Sequence, residues 1–183
     1  MLFRSVFCPV PKVSCTVWKK LLADLEGVHI ENDVHREIQH KLNSLRQYST
    51  EERRNILNTY TKFMFVREPF ERLLSAYRDC FGGWYKRGDP FWKRYRKKVR
   101  EYLVKHGGLK IDIDADNTTF EEFATYVVLT WRNGENLQIH WRQMHNSCHP
   151  CHIKFDYVGH YESLSEDAEI GRASCRERVS SPV

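Results

Sequence analysis

The sequence predicts an α/β fold with a mainly parallel sheet flanked by helices, and three observations predict it. Short apolar runs alternate along the chain with amphipathic helical stretches, the order that builds parallel sheets. Capping patterns stand at the starts of several of those stretches. A length of 183 residues with 41% apolar content suits one domain with a sizeable core.

The elements follow in order. "RSVFCPV" (Arg4 to Val10) reads as a short buried strand. Val17, Trp18, Leu21, Leu22 and Leu25 then recur at helical spacing, opposite Lys19, Lys20 and Asp24. Val34, Ile38, Leu42 and Leu45 form a second stripe, begun by the capping candidates Asn32 and Asp33. Ser49 and Glu52 in "STEE" form a capping box that opens a third helix. "KFMFV" (Lys62 to Val66) is a compact apolar strand, and "REPF" turns it into a helix with Pro69 in the first turn. Phe70, Leu73, Leu74, Tyr77 and Phe81 share one face of that helix, which breaks at Gly82-Gly83. "TTFEEFATYVVLTW" predicts another capped helix, with Thr118 and Glu121 spaced as a box. "IKFDYVGHYESL" reads as a late strand ending at Gly159.

Bulk properties narrow the partners. A net charge of +5 suits an acidic partner without choosing among nucleic acid, anionic glycan and nucleotide. No run of roughly 18 apolar residues is present to span a membrane, and "MLFRSVF" is short for a complete signal peptide. The chain therefore reads as cytosolic or as a piece of something longer. Six cysteines are many for a cytosolic protein and few for a disulfide scaffold. Asn117-Thr118-Thr119 is an N-glycosylation sequon, which favours a secretory lumen slightly. Residues 1–169 read as the folded part. The tail 170–183 ("IGRASCRERVSSPV" begins at Ile170) lacks apolar periodicity and reads as unassigned, foreign or misread sequence.

Two units carry candidate chemistry. The strand Arg4–Val10, the loop Pro11–Thr16 and the helix from Val17 form a β-loop-α unit, whose helix N-terminus points free N–H groups at the loop. Lys12 adds charge, and Ser14 and Thr16 add hydroxyls, but the glycine spacing of a Walker loop is missing. In "FVREPFERLLSAYRDCF", Arg67 and Arg72 with Ser75 stand near one strand–helix junction. They suit bidentate recognition of a phosphate, or pairing with Glu68 and Glu71 on a surface helix.

Together, "VPKVSCTVWKKLL" and "KFMFVREPFERLLSAY" resemble the paired cofactor signatures of the Golgi carbohydrate sulfotransferases, nearest to the chondroitin/dermatan 4-O-sulfotransferase group. "LRQYS", "HW" at His140-Trp141 and "CHPCHIKFDYVGHYESLSEDA" extend the resemblance, in order, from about Phe7 to Ala168. It implies a P-loop-like sulfotransferase fold, incomplete here at its C-terminus. It also implies transfer of a sulfuryl group from 3′-phosphoadenosine-5′-phosphosulfate (PAPS), without a metal, to the 4-hydroxyl of N-acetylgalactosamine in a glycosaminoglycan. A Golgi membrane location follows, through an N-terminal anchor outside this chain. Pro11, Lys12, Val13, Ser14, Cys15, Thr16 and Val17 match the 5′-phosphosulfate loop. Arg67, Glu68, Pro69, Phe70, Glu71, Arg72, Leu73, Leu74 and Ser75 match the 3′-phosphate segment, with Arg67 and Ser75 as direct contacts. Val17 departs from the family, where asparagine is usual.

Transfer of this kind resembles phosphoryl transfer, so catalysis lies in positioning and charge stabilisation, with Lys12 in the charge role. Histidine is the side chain best suited to take the acceptor's proton. His35 is the first candidate by the resemblance, placed in the first turn of the second helix, where the dipole disfavours an imidazolium. His140 is the second. "CHPCH" (Cys148 to His152) is half a zinc pattern without a second half, and a disulfide involving Cys148 or Cys151 fits an oxidising lumen better. Eight Lys or Arg between Lys86 and Arg100, interleaved with aromatics, suit a solvated face or a glycan track better than a nucleic-acid site. The competing reading is a non-catalytic module that binds anionic glycans. A nucleotide kinase is disfavoured by the missing glycines.

Overall fold

The computed structural model describes residues 4–31, 34–82, 90–115 and 117–167, the side chain of Gln39 excepted. The capping candidates Asn32 and Asp33, Gly83, the start of the basic stretch and the tail from residue 170 lie outside the described residues. The chain divides into two compact units, one from Met1–Arg67 with Gln143–Val183 and one from Glu68–Arg142.

The first unit holds a three-stranded parallel sheet in the order β1 (Ser5–Cys8), β2 (Thr61–Val66), β3 (Tyr157–His160). Ser5 is in register with Thr61, and Phe63 with Tyr157. Between β1 and β2 run α1 (Cys15–Leu25), α2 (Val34–Lys41), a 3-10 turn (Leu45–Gln47) and α3 (Thr50–Thr59). The short α7 (His145–Cys148) precedes β3. Parallel strands need such crossovers, and covering helices explain why the central strand is apolar almost throughout.

Val10, Val13, Trp18, Phe63, Met64, Phe65 and Cys148 form this unit's core. The Trp18 ring stacks on Phe65 at 4.6 Å, and Phe7 stacks on Phe63 at 5.0 Å. Lys62 is the polar member of buried β2, and Asp156 satisfies it twice. The Lys62 ammonium pairs with the Asp156 carboxylate at 3.0 Å, and the Lys62 N–H donates to the same oxygen at 2.7 Å. Buried charge persists only when paired in this way. At the far end of β3, the Asp167 carboxylate accepts the His160 N–H at 2.6 Å and the Ser163 hydroxyl at 2.8 Å. Those bonds hold its carboxyl below the usual range, the His160 N–H foremost. Their contribution is present above the unfolded pKa and fades as pH falls through the lowered one.

Gly159 lies inside β3 rather than at its end, and its missing side chain is what admits Phe65. A Cβ there would stand 2.3 Å from Phe65 Cε1 and 2.7 Å from Cδ1. Phe65 is fully buried, so the ring has nowhere to go. Gly159→Ala is therefore expected to cost about 2–3 kcal/mol by overpacking, seen as a lower urea midpoint at unchanged slope.

The second unit is helical: α4 (Pro69–Cys80), α5 (Pro90–Gly107) and α6 (Phe120–Arg132). Ala76, Cys80, Phe81, Trp92, Val99, Leu103, Phe123, Tyr126, Leu137 and Trp141 are its core. Buried Arg100 reaches the Ala115 carbonyl with Nη1 and the Glu122 carboxylate at 3.8 Å with Nη2, tying the approach to α6 onto α5.

Several expected boundaries move. Helix α1 begins at Cys15, two residues before Val17, and both Val17 and Leu25 face solvent. The second stripe is broken, because α2 ends at Lys41 and Leu45 opens the 3-10 turn. The Ser49–Glu52 box is present as expected. In α4 the buried row is Arg72, Ala76 and Cys80, while Phe70 is 79% exposed. The α6 box belongs to Thr119 and Glu122, not Thr118 and Glu121. Thr118 is buried, with its carbonyl accepting the Tyr77 hydroxyl, so only its neighbour can cap. β1 stops at Cys8 and β3 runs on to His160.

Candidate donor-binding site

The loop between β1 and α1 alternates. Pro11, Val13 and Cys15 are buried, Lys12 and Ser14 are half-buried, and Thr16 and Val17 are exposed. Apolar residues anchor the turn on the core while the polar ones face outward. Lys12 (φ 70°) and Ser14 (φ 58°) both occupy the left-handed region. Each such non-glycine residue costs on the order of 1–3 kcal/mol and is held only by its surroundings. Here buried Val10 and Val13 hold the backbone on either side. This answers the missing glycines: two ordinary residues supply the positive φ that a glycine-rich loop would use.

Helix α1 starts directly from this turn. Its N-cap is Ser14, whose side chain makes no capping bond, and its first turn contains no acidic residue. The first N–H groups and the positive dipole end are thus left to an anion. Arg67, just past the C-terminal end of β2, donates from Nη1 to the Lys12 carbonyl at 3.3 Å. Its guanidinium also stacks over the Tyr161 ring at 4.1 Å. The two sequence segments are therefore joined by a direct bond across the parallel sheet.

His35 lies in the first turn of α2, as expected, against the first turns of α1. Its Nε2 is 3.1 Å from Thr16 Oγ1 and its Nδ1 is 3.2 Å from Lys19 Nζ. An ammonium only donates, so Nδ1 accepts and the ring proton sits on Nε2, donating to Thr16. These contacts tie the imidazole to the last residue of the loop. Lys19 and Tyr161 escaped the sequence reading. Lys19 was visible only as part of a polar helix face, although its i, i+3 spacing from Thr16 puts both on one side.

The remaining candidates belong to the second unit. Arg72 is 4% exposed and donates to the Arg142 carbonyl at 2.8 Å and the Ile139 carbonyl at 3.3 Å. Its guanidinium pins the turn that carries His140 and Trp141. His140 donates its backbone N–H to Gln138 Oε1 at 2.7 Å, with ring Nδ1 2.8 Å from the same oxygen and the ring edge-on to Trp92. The Glu68 carboxylate accepts the Glu71 N–H at 2.7 Å, capping α4 with Pro69 in its first turn. Leu73, Leu74 and Ser75 are half-buried along that helix, and Glu71 is exposed.

Cys148 is disulfide-bonded to Cys8, which removes it from any metal site. Cys151 is an exposed thiol, and Cys15 and Cys80 are buried cysteines outside any disulfide. Among the described residues no group of three or more His, Cys, Asp or Glu is placed to hold a metal ion. Among the same residues no helix is long and apolar enough to cross a membrane. On α5 the basic stretch separates into buried Arg96 and Arg100 and exposed Lys93, Arg94, Lys97 and Lys98.

A non-glycine loop on a parallel sheet, braced by the arginine that follows the neighbouring strand, gives this α/β chain a candidate anion site. The sequence model of the sulfotransferase family matches residues 4–178, and the chain belongs to that family. It is 40% identical over 172 residues to carbohydrate sulfotransferase 11 of Rattus norvegicus, covering 89% of this chain and 48% of that protein. Carbohydrate sulfotransferase 14 of Danio rerio is 39% identical over 181 residues, covering 98% and 47%. Carbohydrate sulfotransferase 8 of Mus musculus is 35% identical, covering 91% and 40%. The chain thus spans about half the length, or less, of these curated relatives. No solved structure matches it.

Proposed function

We propose that this chain is the donor-binding part of a Golgi carbohydrate sulfotransferase that uses PAPS, without a metal, to sulfate N-acetylgalactosamine at its 4-hydroxyl in chondroitin- or dermatan-type glycans. The observation that carries this reading is the pair of contacts that gathers the candidates: Arg67 on the Lys12 carbonyl and His35 on Thr16. PAPS supplies the sulfuryl group and departs as adenosine 3′,5′-bisphosphate. Lys12 and the uncapped N–H groups of α1 hold the negative charge that grows on the 5′-phosphate side. Arg67 holds the 3′-phosphate from the end of β2, and Ser75 follows it in the matching sequence segment. His35 takes the acceptor proton at Nδ1, the nitrogen without hydrogen, once the Lys19 ammonium moves off it. The exposed cations of α5 serve the anionic acceptor chain. The Cys8–Cys148 disulfide and the Asn117 sequon support a lumenal setting.

Isothermal titration with adenosine 3′,5′-bisphosphate tests the reading. Lys12→Ala and Arg67→Ala should each weaken binding about ten- to a hundredfold, the value of one charge-assisted hydrogen bond. No binding by a folded, full-length protein would leave the competing reading, an anionic-glycan module working through α5.

A further inference from the structure

The Glu68–Arg142 unit contains a cavity of about 240 Å³ that the donor site does not use. Its wall includes Tyr77, Phe81 and Phe120, its buried guanidinium is Arg96, and its rim carries Asn117. Thr118 also lines it, 2% exposed, with a buried hydroxyl that has no hydrogen-bond partner. A native interior seldom leaves such a hydroxyl unsatisfied, and the exception asks for a missing partner. The Tyr77 hydroxyl is already spent on the Thr118 carbonyl at 2.9 Å, so Tyr77 offers the cavity its ring. Phe120 meets that ring edge-on at 5.2 Å and is 41% exposed at the mouth.

We infer that Asn117 carries an N-linked glycan whose first N-acetylglucosamine packs into this cavity, so that the sugar completes the unit's fold. Asn117 is exposed in the non-helical segment before α6. A pyranose is amphipathic, with a C–H face suited to aromatic rings and polar groups suited to the Thr118 hydroxyl. The occupant needs no separate affinity, because it is tethered to the rim. Its attachment precedes folding of α6, since in the folded chain Thr119 of the sequon is engaged as the cap, accepting the Glu122 N–H at 3.1 Å. Transfer from a lipid diphosphate-linked oligosaccharide forms the bond from Asn117 Nδ2 to the sugar C1 and breaks the C1–O bond to the diphosphate. The diphosphate leaves with the electron pair, and the amide loses one proton. The inference rests on the lumenal placement proposed above.

The test is to secrete the full chain from animal cells behind a signal sequence and read Asn117 occupancy by intact mass. The glycan is then trimmed to its single first sugar with an endoglycosidase. Single-sugar protein should melt about 3–6 °C above Asn117→Gln, and Phe120→Ala should remove at least half of that difference. Complete enzymatic removal of the glycan from folded protein gives the same comparison should Asn117→Gln not fold. Secreted protein with Asn117 empty, or melting points within about 1 °C with and without the sugar, overturns the inference. Bisphosphate binding separates the two readings. Binding with an empty Asn117 sinks the glycan alone, and an occupied, stabilising glycan on protein that does not bind sinks the donor-site reading alone.

Discussion

His35→Ala is expected to lower turnover by about 10²–10⁴-fold, the usual worth of a positioned general base, while bisphosphate affinity stays within about threefold. The asymmetry follows from what His35 touches. Its ring meets the Thr16 hydroxyl and the Lys19 ammonium, both of them side-chain groups rather than backbone of the loop. The left-handed turn at Lys12 and Ser14 is held by buried Val10 and Val13 and by Arg67, none of which depends on the imidazole. Removing the ring should therefore spare the candidate donor loop and delete the proposed proton acceptor. The measurement is paired: single-turnover sulfation of a glycan acceptor, and calorimetric titration of the bisphosphate. Near-normal turnover would pass the role to His140. A parallel collapse of binding would make His35 a structural support of the loop.

Loss of the Cys8–Cys148 disulfide, in the double variant Cys8→Ser/Cys148→Ser, should cost about 3–5 kcal/mol, the range for closing a very long loop. The bond joins residues 140 positions apart, so it removes much freedom from the unfolded chain. It ties the end of β1, three residues ahead of Pro11, to α7, and Cys148 lies in the same core cluster as Val10, Val13 and Trp18. A domain stable by only 5–15 kcal/mol has little margin for that loss. Both cysteines are replaced together because exposed Cys151 would otherwise exchange with a lone partner. Denaturant melts of the oxidised parent and the double variant give the number. Midpoints that coincide would show that the sheet and its helices hold the loop unaided.

Much of this architecture was readable from pattern. The apolar run "KFMFV" is the buried centre of the sheet, and the Ser49–Glu52 spacing marks a real cap. Periodicity failed where two neighbours share a chemistry. Thr118 and Thr119 are equivalent as letters, and burial of the first makes the second the cap. It also failed at Arg72, where a charged residue on a helix reads as solvent-facing. The carbonyls at Ile139 and Arg142 that make its burial tolerable lie nearly seventy residues away.

By itself, the sequence determined the α/β class and the order of the two segments that carry the candidate donor site. Local periodicity, capping chemistry and motif order are properties of neighbouring residues, and neighbours are what a sequence lists. Only the tertiary structure decided which of those residues meet. Arg67 reaches Lys12 because β1 and β2 are parallel neighbours, and His35 reaches Thr16 because α2 packs on α1. The same holds for the glycine-free loop: two strained left-handed residues are affordable only because distant side chains bury the ones beside them.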